Sequence, residues 1–269
     1  MSRVALVQLQ ASIQKDENLK SAIEYIRKAK ARKAELVAFP EFLMAYSPAS
    51  QTASELAKIA ETIGGDFTST LRKTAKNNRI SVVATIYEKS RIKNRVYDTA
   101  LLIDKNGKLS SVYRKLHLYD ALGFKESAKL AKGQELIKPI RTSVGNIGMM
   151  ICYDVRFPEM SRMLVLMGAN VLAIPSAWVK GENKVEHWQT MLKARAIENG
   201  CYIVAPDQIG NIYVGHSMVV DPFGRIVLDM EEREGLGIVD LDTKLVNDVR
   251  KKLPLLKNRR TDIYSKYFK

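Results

Sequence analysis

Val37-Ala38-Phe39-Pro40-Glu41 is a short apolar run stopped by proline and followed by a carboxylate. The same shape returns in the second half of the chain as Leu172-Ala173-Ile174-Pro175-Ser176. A second pair keeps the order: Asp104-Lys105-Asn106-Gly107 is matched by Asp221-Pro222-Phe223-Gly224, each with the chemistry of a tight turn between strands. Working outward, residues 4–9, 80–87 and 99–103 read as strands, whereas 19–33 carries Leu19, Ala22, Ile23, Ile26 and Ala29 at helical spacing. Helical spacing also covers 55–63 and 70–77. In the second half 147–152, 171–174, 202–205, 217–220 and 225–228 read as strands, and 158–167 and 185–199 as helices. The helix at 158–167 has Pro158 at its start and Gly168 at its stop. The chain is therefore expected to be an α/β protein of two similar halves, each a mixed sheet with helices on one face. Packing the open faces together gives a four-layer α-β-β-α sandwich. A doubly wound fold is the competing arrangement, but its glycine-rich nucleotide loop is missing.

The 269 residues are 46% hydrophobic, enough for one sizeable domain spanning 1–269. Two cysteines make no disulfide framework, the opening Met1-Ser2-Arg3-Val4-Ala5-Leu6-Val7-Gln8 is too short an apolar run for a secretory signal, and no membrane-length apolar stretch occurs. A cytoplasmic location without membrane attachment is expected. The formal charge of +14 is spread among 29 acidic residues without a recognised nucleic-acid motif. It is read as a solvated surface rather than a nucleic-acid partner, with steering of anionic substrates as a second use.

Three polar residues sit where apolar runs end. Cys152 closes Ile147-Gly148-Met149-Met150-Ile151 just before Pro158 opens a helix, which is where a nucleophile would be mounted. Cys201, inside Cys201-Tyr202-Ile203-Val204-Ala205, reads instead as a small buried hydrophobe. Glu41 ends its strand where an unpaired carboxylate is expensive, and a salt-bridged or helix-start glutamate is the ordinary alternative. Lys115, in Tyr113-Arg114-Lys115-Leu116-His117-Leu118, points inward toward anionic charge or snorkels at the surface.

Taken in order, Phe39-Pro40-Glu41, Tyr113-Arg114-Lys115-Leu116-His117-Leu118 and Ile151-Cys152-Tyr153-Asp154-Val155-Arg156-Phe157-Pro158-Glu159 resemble the Glu-Lys-Cys motifs of the nitrilase superfamily of carbon-nitrogen hydrolases. The likeness extends through Pro175-Ser176-Ala177-Trp178, the segment 187–199, Gly215 to Gly224 and the ending Asn258-Arg259-Arg260-Thr261-Asp262-Ile263-Tyr264. It implies the α-β-β-α sandwich, with Glu41 as general base, Lys115 as stabilising cation and Cys152 as nucleophile. A second family glutamate matches Glu126, although Glu135 lies close by. The Tyr153 backbone N–H is placed to help Lys115 hold an oxyanion.

Tyr153-Asp154 followed by Arg156 is similar to the omega-amidase and deaminated-glutathione amidase group, whereas nitrile-cleaving members usually carry Trp-Glu after the cysteine. Arg156 is thus expected to grip a substrate carboxylate, the alternative being an ion pair with Asp154 or Glu159. Tyr46 and Trp178 are expected pocket residues. His117 is expected on the same side of a continuing strand as Lys115, in a structural role, and His187 and His216 in packing and hydrogen bonding. No zinc-ligand spacing occurs, and no metal or cofactor is implied. The partners expected are a small amide, water and further copies of the chain, as a homodimer or larger assembly with 253–269 at an interface. Hydrolysis of N-carbamoyl compounds or nitriles, and a non-catalytic interaction or amide-sensing role, remain the alternatives.

Overall fold

The structure, a computed structural model, describes residues 1–267; Phe268 and Lys269, the end of the expected 253–269 interface segment, lie outside the described residues. In chain order the first half supplies β1 (Ser2–Gln8), α1 (Lys15–Ala31), β2 (Leu36–Ala38), α2 (Ala53–Ile59), α3 (Asp66–Asn78), β3 (Ser81–Lys89), β4 (Val96–Ile103) and β5 (Leu109–Arg114). The second supplies β6 (Ile140–Thr142), β7 (Gly145–Met149), α4 (Pro158–Leu166), β8 (Val171–Ala173), α5 (Lys184–Asn199), β9 (Tyr202–Ala205), a small hairpin of β10 (Ile209–Gly210) and β11 (Tyr213–Val214), β12 (Met218–Val220) and β13 (Ile226–Asp229). The strand β14 (Gly235–Leu241) and helices α6 (Thr243–Lys252) and α7 (Thr261–Tyr264) follow.

Two six-stranded sheets result, ordered β14-β1-β2-β3-β4-β5 and β13-β12-β9-β8-β7-β6. In each, three parallel strands (β1, β2, β3 and β7, β8, β9) continue into an antiparallel pair (β4, β5 and β12, β13). The two halves therefore share one topology, as the repeated stretches imply. Gly107, at φ +78°, makes the β4–β5 turn, where a Cβ would come within 2.7 Å of the Arg72 carbonyl oxygen.

The period of two along each strand sorts the core. Val4, Leu6, Leu36, Ala38 and Val83 face the second sheet, while Ala5, Val7, Val37 and Val82 face Ala22, Ile26 and Ala29 of α1 and Phe67, Leu71 and Ala75 of α3. Leu164 and Val165 of α4 and Trp188, Leu192 and Ala196 of α5 cover the outer face of the second sheet. Four layers follow, α-β-β-α. Among the described residues no helix is long and apolar enough to cross a membrane.

Among the elements that escape the sequence reading are β5, β14 and α6. β5 turns Ser111 as well as Tyr113 inward, so its hydrophobic alternation is broken. β14 contains Gly235 and Gly237, and pairs antiparallel with β1, more than two hundred residues earlier in the chain. α6 is an amphipathic helix burying only Val246 and Val249.

Candidate active site

The nucleophile candidate sits beyond the carboxyl end of β7. Cys152 N–H donates to the Pro175 carbonyl at 2.9 Å, and the Glu41 N–H donates to the Ser176 carbonyl at 3.2 Å. Thus the matching strand ends of the two halves meet. Cys152 has φ +42°, a left-handed conformation that a side chain tolerates only where its surroundings enforce it. It opens a 3-10 turn over Cys152–Arg156.

Asp154 enforces that turn. Its Oδ2 accepts from Ile151 N–H at 2.9 Å and from the Tyr113 hydroxyl at 2.6 Å, and its Oδ1 accepts from His117 N–H at 3.1 Å. The His117 Nδ1 lies 2.8 Å from the same Oδ1, and the imidazole stacks on Phe157 with centroids 3.7 Å apart. The segment carrying Lys115 is thereby tied to the segment carrying Cys152. The expected continuing strand does not form: Lys115 N–H makes the last bond to β4, at the Asp98 carbonyl, and from Leu116 onward the backbone turns to the Tyr113 hydroxyl and to Asp154 instead.

Lys115 is fully buried, with its Nζ 2.7 Å from Glu41 Oε1, 2.9 Å from Glu126 Oε2 and 3.9 Å from Asp98 Oδ2. Burial alone would lower its pKa, but the Glu126 and Glu41 carboxylates outweigh that and hold the ammonium well above its usual value. Three carboxyl groups around one ammonium cannot all ionise cheaply in a buried setting. At Asp98, burial followed by the Glu41 charge drives the pKa well above the carboxylate range. Glu126, raised mainly by burial, also accepts from Tyr119 N–H at 2.7 Å. Glu135 is exposed, so the contact with Lys115 belongs to Glu126.

Cys152 lines a cleft of about 440 Å³ together with Tyr153, Tyr46, Glu126, Arg156 and Trp178. Burial, then the nearby Glu41 charge, keeps its thiol well above the ordinary cysteine value, with Lys115 and the Ala177 N–H acting the other way. Cys152 is therefore a neutral thiol in the resting site, needing a base before it attacks. Cys201 is buried elsewhere in the core, and burial pushes it up to about 12.

For Arg156 the ion-pair alternative does not form, and His187 departs from expectation. Arg156 forms no ion pair with Asp154 or Glu159; Asp154 spends its oxygens on the Tyr113 and His117 segment, and the Arg156 guanidinium lies 4.7 Å from the Trp178 ring centroid. His187 is exposed and makes no side-chain hydrogen bond, because α5 turns it outward beside buried Trp188. His216 does pair with Asp229, at 3.0 Å. Tyr46 is half-buried, edge-on to Tyr213 at 6.0 Å. Sequence reasoning missed Asp98, Asp154, Lys184 and Tyr119. Asp154 was legible as a carboxylate inside an apolar stretch, while Lys184 stands in an ordinary charged segment with nothing to mark it.

Residues 3–251 match the model of the carbon-nitrogen hydrolase family. The deaminated glutathione amidase of Escherichia coli O157:H7 is 34% identical over 91% of this chain and 92% of its own length. The crystal structure of the C. elegans NitFhit protein superposes with a TM-score of 0.91 at 32% identity, over 98% of this chain and 66% of that one. The chain likewise spans 58% of the Drosophila melanogaster NitFhit, a nitrilase and fragile histidine triad fusion protein, at 32% identity over 97% of its own length. A mutant of the amidase from Nesterenkonia sp. AN1, with acrylamide added at its active-site cysteine, matches over 100% of both chains with a TM-score of 0.82 at 26% identity.

Proposed function

Since the chain belongs to the carbon-nitrogen hydrolase family, we propose that it is an amidase converting a small linear, carboxylate-bearing amide into acid and ammonia through a thioester on Cys152. One observation carries this reading: buried Lys115 bridges Glu41 and Glu126 beside the Cys152 thiol on the wall of a cleft.

Glu41 takes the proton of the Cys152 thiol as sulfur attacks the amide carbonyl carbon. The Lys115 ammonium and the Tyr153 N–H hold the resulting oxyanion, each such donor contributing ~2.7–4 kcal/mol to the transition state. The carbonyl re-forms, the C–N bond breaks, and Glu41 passes its proton to the departing nitrogen, so ammonia leaves and the thioester remains. Glu41 then takes a proton from water as its oxygen attacks the thioester. Collapse expels sulfur, the thiol recovers the proton from Glu41, and the acid departs. Glu126 holds Lys115 and orients the incoming groups.

Arg156, Tyr46 and Trp178 form the substrate-binding wall. Residues 1–269 are read as one domain, because β14 returns from the second half to pair with β1. Leu253 and Leu255, at 45% and 38% exposed, support a homo-oligomer contact through the C-terminal segment. Two free thiols fit a reducing, cytoplasmic setting.

The test is ammonia release from 2-oxo acid amides, deaminated glutathione, N-carbamoyl amino acids and simple nitriles, with Cys152→Ala in parallel. Cysteine-dependent release from an amide class is expected. Release only from carbamoyl compounds or nitriles would reassign the substrate, and silence from all four classes would end the amidase reading.

A further inference from the structure

Lys184 is the first residue of α5, and its side chain lines the same cleft as Cys152. It is 7% exposed, yet none of the ion pairs among the described residues includes it. Its Nζ donates to the Tyr119 hydroxyl at 2.9 Å and lies 5.0 Å from the Tyr119 ring centroid and 5.5 Å from that of Trp178. These partners are all neutral. Burying an ammonium among neutral groups is costly, and cation–π contacts recover only part of that cost. The position in the helix adds to it, since the N-terminal end of a helix is its positive end and ordinarily collects carboxylates. A cation in this place is therefore missing an anion.

The rest of the cleft has the same imbalance. Lys125, Lys129 and Arg156 also line it, and among the described residues Lys129 Nζ bonds to Ser47 Oγ and the Pro48 carbonyl, at 3.2 and 3.0 Å. Among the described residues the single carboxylate on the wall, Glu126, is committed to Lys115. The Arg156 guanidinium shares the Trp178 indole with Lys184. Two cations that line the cleft thus stand against the same indole, and neither forms an ion pair among the described residues.

We propose that Lys184 is the specificity-determining residue of the cleft: with Arg156 beside the Trp178 indole, it binds a carboxylate carried by the substrate. The proposal rests on the amidase reading for what the bound molecule undergoes, but the anion site is defined by Lys184 independently of turnover. The ammonium offers its remaining hydrogens to one carboxylate oxygen, and the planar guanidinium presents a paired edge to the other.

The test compares glutaramate with pentanamide, an amide pair of equal chain length that differs by a terminal carboxylate, on wild type, Lys184→Met, Lys184→Arg and Tyr119→Phe. Wild type should prefer glutaramate in kcat/KM. Lys184→Met should shrink that preference at least about tenfold, chiefly through KM, as expected for removal of one partner of a desolvated charge pair. Lys184→Arg should retain most of the preference. Tyr119→Phe, which removes the same hydrogen bond but keeps the ammonium, should retain it as well. Equal loss on both amides in Lys184→Met, loss of the preference in Tyr119→Phe, or no wild-type preference would overturn the proposal.

A second readout separates this inference from the amidase reading: protection of Cys152 by glutarate against alkylation with iodoacetamide. If wild type hydrolyses neither amide but glutarate protects it, and protection is lost in Lys184→Met, the activity assignment fails and the anion site stands. If glutarate protects wild type and Lys184→Met equally, or neither, the anion site fails.

Discussion

Tyr113 donates its hydroxyl hydrogen to Oδ2 of Asp154 across 2.6 Å, between two residues that are both completely buried. This contact fastens the end of β5 to the turn after β7, and so sets the distance between Lys115 and Cys152. Neither residue is placed to touch substrate; both position groups that are.

Tyr113→Phe should weaken that setting without abolishing the fold. A hydrogen bond to a buried carboxylate is worth ~1.5–3 kcal/mol, so the melting temperature should fall measurably. The fall in kcat should exceed any change in KM, since the substrate wall is untouched. Asp154→Ala, which leaves the Ile151 N–H, the His117 N–H and the Tyr113 hydroxyl without their acceptor, should cost more on both counts. Steady-state kinetics beside thermal unfolding checks this, and an unchanged kcat in both variants would remove Asp154 from the positioning role.

Glu41→Gln should lower turnover ~100- to 10,000-fold, the usual range for loss of general acid–base assistance. The same substitution removes a negative charge that holds the Cys152 thiol up. The pH midpoint of iodoacetamide alkylation at Cys152 should therefore move down while hydrolysis is lost. Parallel movement of the two would contradict the assignment of Glu41 as base.

Iodoacetamide at mildly alkaline pH should label Cys152 and leave Cys201 intact. Burial raises both thiols, so the difference rests on access: Cys152 lines the cleft, whereas Cys201 is fully buried in the core. Mass spectrometry of the intact and digested protein reads this directly, and Cys201→Ala should keep full activity.

Asp98→Asn should be more stable than wild type, increasingly so as pH rises. The Asp98 carboxyl keeps its proton in the folded protein well above the value of an unfolded aspartate near ~3.9. Its favourable contribution is complete below that unfolded value and is lost as pH climbs toward the folded one, because the folded state then binds the extra proton. An amide has no such dependence. Denaturant unfolding at several pH values from acid to neutral would show the difference opening with pH, and a constant difference would mean that folding leaves the pKa of Asp98 unshifted.

Much of the molecule can be read along the chain. Alternation of period two, proline stops and the paired turns at Asp104–Gly107 and Asp221–Gly224 define two similar halves, because strand and turn formation depend on neighbours a few residues apart. The motifs around Glu41, Lys115 and Cys152 are local as well, and the structure brings the three to one buried place. What only the tertiary structure decides are choices among partners distant in sequence. Arg156 had carboxylates close by in the chain and instead meets Trp178, since Asp154 was already occupied by Tyr113 and the His117 segment. Asp98 became a carboxyl with a raised pKa beside Glu41, and Lys184 a buried amine with no ion pair among the described residues, only when packing removed them from water. A residue's type fixes what it can donate or accept; desolvation and the competition of other groups for the same atoms fix what it does.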